Sequence, residues 1–199
     1  MKEFNEMSLQ IKRSVDFHSS AWSGGTSTEL FIYPPNSNYA HRDFHFRLST
    51  ATVDVEESEF TALPGVSRKL MILEGEIDIS HDDHLARKLK KFDVEIFEGH
   101  RKTRSKGKCI DFNLMTQGNT SGELRSLFLT KNQIYPVQIP SDLDFFFCYV
   151  SGGNVHFEND HDPLPASKGD LLFIHNPAAR SLTIKSSEEA ELVFVEISI

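Results

Sequence analysis

Hydrophobic and polar positions alternate strictly along Phe44-His45-Phe46-Arg47-Leu48-Ser49-Thr50-Ala51-Thr52-Val53-Asp54-Val55. Phe44, Phe46 and Leu48 fall on one side, and His45, Arg47 and Ser49 on the other. After Thr50 the apolar residues change sides, to Ala51, Val53 and Val55. A period of two predicts a β-strand, and the change of side predicts a bulge or a passage between two sheets. If the polar side looks into a barrel, Arg47 is a fixed cation inside a cavity and calls for an anionic ligand. The other reading is an exposed arginine on a solvated sheet face.

The same period recurs along the chain. Residues 9–17 read as a first strand. Trp22-Ser23-Gly24-Gly25-Thr26 predicts a tight turn beside the only tryptophan, offering backbone N–H groups and a hydroxyl to a small polar ligand. Leu70-Met71-Ile72-Leu73 is apolar at successive positions and predicts a strand buried on both faces, followed by a hairpin at Glu74-Gly75-Glu76. Cys109-Ile110-Asp111-Phe112-Asn113-Leu114-Met115 sets Asp111 and Asn113 on one face, either lining the same cavity or pointing outward from a surface strand. Phe145-Phe146-Phe147-Cys148-Tyr149-Val150 reads as a buried strand and Ser151-Gly152-Gly153-Asn154 as a second hairpin turn. No long amphipathic helix is predicted; residues 121–129 and 186–191 have room for a helical turn or two.

Two halves echo one another. Gly152 follows Gly75 by 77 positions, and Asp170, closing Lys168-Gly169-Asp170, follows Asp93, closing Lys91-Phe92-Asp93, by the same 77. An apolar-rich strand follows each aspartate. The repeat predicts an all-β bicupin: two β-barrel or jelly-roll halves in one compact unit. The polar, glycine-containing segment 117–123 marks the boundary, giving residues 1–116 with the pocket and a shorter, plainer half at 117–199.

A net charge of −8 argues against nucleic-acid affinity. The first residues carry no apolar leader and no run is long enough to span a bilayer, so a soluble, cytoplasmic protein without membrane association is expected. Cys109 and Cys148 fit buried free thiols. Residues 81–108 hold nine Lys/Arg against five Asp/Glu; they form a solvated face or, alternatively, a weak funnel for an anion. The histidines are scattered. Their nearest groupings, His81-Asp82-Asp83-His84 and His156 with His161, give no strand-borne pair followed by a carboxylate, so no metal and no cofactor are expected.

Trp22-Ser23-Gly24-Gly25-Thr26-Ser27-Thr28-Glu29, Phe46 to Val53, Leu63-Pro64-Gly65-Val66-Ser67-Arg68 with Leu73-Glu74-Gly75, and Asp111 to Met115 together resemble the HutD/Ves family in order and spacing. The resemblance implies a bicupin fold and, for members that accompany histidine-utilisation enzymes, binding of a pathway metabolite such as urocanate or a formylated or formiminated glutamate. It implies a pocket lined by Trp22, Thr26, Glu29, Arg47, Ser49, Arg68, Asp111 and Asn113. Two departures bear on the ligand: Ser23-Gly24-Gly25 is one residue shorter than the usual Asn-Gly-Gly-Gly, and Thr116-Gln117 replace a common arginine pair.

The expectation is therefore a metal-free, regulatory protein for a small anionic metabolite. In it, Arg47 and Arg68 grip a carboxylate while Asp111 and Asn113 bind the ligand's polar nitrogen end. The alternative is a metal-independent isomerase or hydrolase with Glu29 or Asp111 as general base, its catalytic residues otherwise unknown. A third reading is an interaction protein, a homodimer paired through edge strands.

Overall fold

The computed structural model describes residues 9–199 except 83, 159–162 and 178–179. The described residues start with β1 (Leu9–Lys12), followed by a 3-10 turn (Ser14–Asp16), β2 (His18–Trp22), β3 (Gly25–Tyr33), β4 (Phe46–Val53), β5 (Glu57–Glu59) and β6 (Val66–Gly75). Next come β7 (Ile77–His81), β8 (Arg87–Leu89), β9 (Val94–Glu98), β10 (Thr103–Lys106), β11 (Cys109–Gln117), β12 (Ser121–Leu129) and β13 (Ile134–Ile139). The last six are β14 (Phe145–Gly152), β15 (Asn154–Glu158), β16 (Leu164–Ser167), β17 (Leu171–His175), β18 (Arg180–Lys185) and β19 (Ala190–Ser198). Among the described residues no helix is long and apolar enough to cross a membrane.

The strands gather into two compact units. The first is Phe17–Ser121; the second is Gly122–Ile199 with the described residues up to Asp16. β1 therefore joins the unit made by the C-terminal part of the chain, pairing with β17 from Leu9 opposite Ile174 to Lys12 opposite Leu171. Only residues 9–12 of the expected first strand extend; a 3-10 turn ends it.

Each unit is a pair of open antiparallel sheets rather than a closed barrel. The first has the orders β2-β3-β4-β11-β6-β9 and β5-β10-β7-β8. The second has β1-β17-β14-β19-β12 and β13-β18-β15-β16. Reading β4–β11 against β12–β19 in order, the two topologies coincide, and the hairpin β2–β3 and the lone β1 are additions at opposite edges. This is the jelly roll, present twice.

The repeat is physical as well as sequential. Asp93 Oδ2 accepts from the Lys90 amide at 2.9 Å, and Asp170 Oδ2 accepts from the Ser167 amide at 3.1 Å, each aspartate clasping the turn that precedes its strand. The glycine turns differ from the expected hairpins. β6 and β7 lie in different sheets, as do β14 and β15, so each turn is a corner where the chain changes sheets. At Gly75 (φ +80°) a Cβ would sit 2.4 Å from the Lys108 carbonyl oxygen. At Gly153 (φ +74°) it would sit 2.3 Å from that of Glu189. Both corners need a residue without a side chain, and they make Gly153, not Gly152, the counterpart of Gly75. Neither segment expected to supply a helical turn is helical: 121–129 is β12, and 186–191 is a bend that runs into β19 at Ala190.

Inside the second unit one apolar cluster runs from Leu129 through Phe146, Cys148, Val150 and Phe157 to Leu192 and Phe194. The first unit is divided. Val53, Leu70, Ile72, Ile77, Ile79, Phe97 and Cys109 form one cluster, and Phe44, Leu63, Val66 and Met115 form another. Between them lie polar side chains.

Candidate functional site

β4 and β11 explain the division. β4 stays in one sheet, so there is no crossing; its register on β11 is unbroken, and the irregularity beside it puts the extra residue in β3, between Glu29 and Phe31, opposite Ser49 and Leu48. The inward side of β4 simply reads Arg47, Ser49, Ala51, Val53, polar at one end and apolar at the other. β11 pairs with β4 and β6 in rungs: Arg47–Met115–Arg68, Ser49–Asn113–Leu70 and Ala51–Asp111–Ile72. The period of two then sends Arg47, Ser49, Arg68, Asp111 and Asn113 to the same side. All five are buried between 2 and 7% exposure.

They line a cavity of about 250 Å³. Ser20, Trp22 and Ser27 of the β2–β3 hairpin, Tyr39 of the following loop, and Ser58, Glu59, Phe60 and Thr61 at β5 complete the wall. Trp22 is 37% exposed at the rim. Its ring lies over Gly24, where a Cβ would come within 2.2 Å of the indole, so the shortened glycine turn makes room for it. Of the expected residues, Thr26 and Glu29 are not on the wall. Thr26 faces away because Gly25, Ser27 and Glu29 take the other side of β3; it pairs with Thr52 of β4. Glu29 stands beside the cavity, its side chain 38% exposed, and accepts from Arg47 Nε at 2.8 Å.

The two arginines are held differently. Arg47 also donates Nη1 to Ser49 Oγ at 2.9 Å and lies 4.4 Å over the Tyr39 ring. Arg68 lies against the edge-to-face pair of Phe60 and Phe97, 5.0 and 5.1 Å from ring centres that are themselves 6.1 Å apart, where aromatic rings support a cation. Its Nη2 donates to Asn113 Oδ1 at 3.1 Å, and Asn113 Nδ2 donates to Asp111 Oδ1. Arg68 Nε is buried and has no acceptor among the described residues.

Burial shifts the titrating groups. The Asp111 carboxyl is pushed up to about 7 by burial, with the Arg68 charge pulling the other way. Burial also lowers the Arg68 pKa, opposed by Tyr39 and Asp111. The Cys109 thiol is pushed up to about 12, by burial and by Asp111; it is buried and free, as is Cys148.

Sequence reasoning missed Tyr39, Phe60, Phe97 and Met115. The first two lie in loops where only an aromatic residue in a polar stretch stood out, and Phe97 meets Arg68 as its register partner on the neighbouring strand β9, a pairing that sequence does not give. The basic segment is largely laced: Arg87 pairs with Glu95, Lys88 with Glu76, Arg101 with Asp82, and Arg104 with Glu59. His81 is buried at the end of β7 instead of lying in a turn, and shares hydrogen bonds with Thr103 and Glu95. Asp83 and His161 lie outside the described residues. Among those described, no three His, Cys, Asp or Glu side chains converge on a metal position.

A twice-repeated jelly roll with a polar hollow in one half defines a protein of the cupin class. The chain belongs to the HutD family, whose pattern matches residues 14–194. The structure is similar to PA5104, a conserved protein of unknown function from Pseudomonas aeruginosa PAO1 (TM-score 0.83, 20% identity, covering 96% of this chain and 100% of that one). It is also similar to HutD from Pseudomonas fluorescens SBW25 in a formate condition (TM-score 0.73, 18% identity, 96% and 98% covered). In sequence it is 34% identical over 98 residues to Protein Ves of Citrobacter koseri, a match over 47% of this chain and 49% of that protein, so it spans about half the length of this relative.

Proposed function

We propose that the cavity of the first unit binds a small carboxylated metabolite without a metal and that the chain acts as a regulatory binding protein. The observation that carries this reading is Arg68: a buried guanidinium on the cavity wall, held against two rings, with Nε unpaired and no carboxylate among the described residues hydrogen-bonded to it. A guanidinium fork matches the geometry of a carboxylate. Arg47 is already engaged by Glu29 and shapes the cavity floor, so Arg68, rather than Arg47, receives the anion. Asn113 and Asp111 then meet the ligand's polar end, and Trp22 and Phe60 its apolar flank. Kinship with HutD makes urocanate and N-formyl- or N-formimino-L-glutamate the first candidates, in histidine utilisation or a related amino-acid pathway.

The test is thermal unfolding with each of the three compounds. The midpoint of the wild type rises with at least one, by the equivalent of about 2.7 kcal/mol at a hundredfold excess over Kd, and that of Arg68→Gln does not. Equal rises in both proteins reject the assignment.

A second reading has one observation in its favour. The Asp111 carboxyl, pushed up to about 7 by burial and linked to the Arg68 guanidinium through Asn113, is suited to general acid–base work. Asp111, not Glu29, would be the proton carrier in an isomerase or hydrolase. Conversion of a bound candidate, followed by NMR and lost in Asp111→Asn while binding persists, would establish it.

A further inference from the structure

We propose that the cavity takes up its anion together with a proton and that Asp111 carries that proton; the inference rests on the anion-binding reading above. Arg68, Asn113 and Asp111 form one chain of hydrogen bonds, Arg68 Nη2 to Asn113 Oδ1 at 3.1 Å and Asn113 Nδ2 to Asp111 Oδ1. Ionised Asp111 is therefore the counter-charge of Arg68 at one remove, through an amide that cannot itself change charge. Across its own rung Asp111 faces Ala51 and Ile72, neither of which offers a side-chain hydrogen bond.

The other charged or titratable groups leave Arg68 in that position. Arg47 on β4 is matched by Glu29 on β3 at 2.8 Å. Glu59 on β5 is matched by Arg104 on β10 at 3.3 Å. Cys109 on β11 is a buried thiol, Tyr39 from the loop covers Arg47, and His81 on β7 is engaged by Thr103 and Glu95.

An anion arriving at Arg68 replaces Asp111 as its counter-charge. The arginine rung and the Asp111 rung are four residues apart along the strands, roughly 13 Å at the backbone, and the Arg68 guanidinium closes part of that distance by reaching Asn113 on the rung between. Two negative charges coupled to one cation out of water, one directly and one through Asn113, favour protonation of one of them. The ligand's acid is the stronger and is held by the guanidinium, so the proton moves from solvent to Asp111 and no ligand bond is made or broken. A carboxyl already raised by burial agrees with this. Above neutral pH the affinity falls about tenfold per unit, with one proton taken up per anion.

Formate and acetate are the probes, since neither carries a second titrating group in this range. Calorimetry in two buffers of different ionisation heat gives proton uptake, and titration from pH 5.5 to 9 gives affinity. The expected result is uptake near one proton at alkaline pH in the wild type and, whatever the affinity of Asp111→Asn, neither proton uptake nor a fall of affinity with pH in that variant. Binding that depends on Arg68 but not on pH, or uptake that persists in Asp111→Asn, overturns the proton coupling and leaves the anion site standing. No saturable binding at any pH removes the anion site itself, and the inference with it. Should Asp111→Asn fail to fold, the Asp111 carboxyl carbon of the wild type is titrated by NMR with and without saturating formate. Its midpoint moves up if the coupling holds; an unmoved midpoint overturns it.

Discussion

The two units share a strand order but not an interior. Cys109 meets the corner at Gly75 as Ala190 meets the corner at Gly153. Counting along β11 and β19 from these residues sets Asp111 against Leu192 and Asn113 against Phe194. On the next rung Arg68 pairs with Met115 in one unit and Phe146 with Glu196 in the other, so Phe146 stands where Arg68 does. Three apolar side chains of a continuous core in the second unit are thus an aspartate, an asparagine and an arginine around a hollow in the first. The shared topology shows that the jelly roll does not depend on what these three positions carry. The difference shows that the first unit forgoes part of its apolar core to keep a charged cavity, a cost that binding can offset.

The sharpest way to break the comparison is to move the polar set into the packed unit. Phe194→Asn removes a large ring from the core and leaves an amide without partners. It is expected to cost about 5 kcal/mol, read as a fall in the urea midpoint. A loss under about 1 kcal/mol would mean that the second interior is not packed as its burial implies.

The reverse exchange, Asp111→Leu, tests the hollow. A carboxyl whose pKa is raised to about 7 in the folded chain binds a proton there that the unfolded chain has already released. Stability therefore falls as pH rises from about 4 to about 7, by a few kcal/mol at ~1.4 kcal/mol per unit, and is level above that window. Asp111→Leu is expected to remove this slope and to be the more stable protein at pH 8. The check is the urea midpoint measured across pH for both.

The clasping aspartates sharpen the comparison further. Asp170 also accepts from the Ser14 amide at 2.9 Å and from Arg13 Nη1 at 2.8 Å, where Asp93 shows only its own turn. Burial works against ionisation of Asp170, but the Ser14 and Ser167 amides and Arg13 outweigh it and hold the carboxyl below its ordinary value. Its contribution is present above the unfolded carboxylate range and is lost as pH falls through the lower folded value. Asp170→Ala is expected to cost about 2 kcal/mol at neutral pH and Asp93→Ala under about 1. Equal losses would mean that β1 adds nothing to the second unit. Smallest of all, Lys88→Ala, which removes exposed pairs to Glu76 and Asp78, should change stability by less than about 0.5 kcal/mol.

Much of the fold was legible because a strand has a fixed period. The alternations around Arg47 and around Asp111 told which side chains travel together, and the 77-residue echo told that the design occurs twice. What alternation cannot tell is which strands become neighbours. Glu74-Gly75-Glu76 has the composition of a hairpin turn, yet the carbonyl of Lys108, more than thirty residues away, makes it a corner. Thr26 and Ser27 are equally polar, and only the register of β3 on β4 puts one inside and the other out.

By itself the sequence determined an all-β chain of two like halves and a set of polar residues bound to one strand face, since covalent geometry alone makes successive side chains alternate. Tertiary structure decided that this face is inward, that Arg68 stands one rung from Asn113, and that Tyr39, Phe60 and Phe97 close around the arginines. Those are distances between segments remote in the chain, set by pairing register and by burial, and burial alone turned an ordinary aspartate into one that titrates near neutrality.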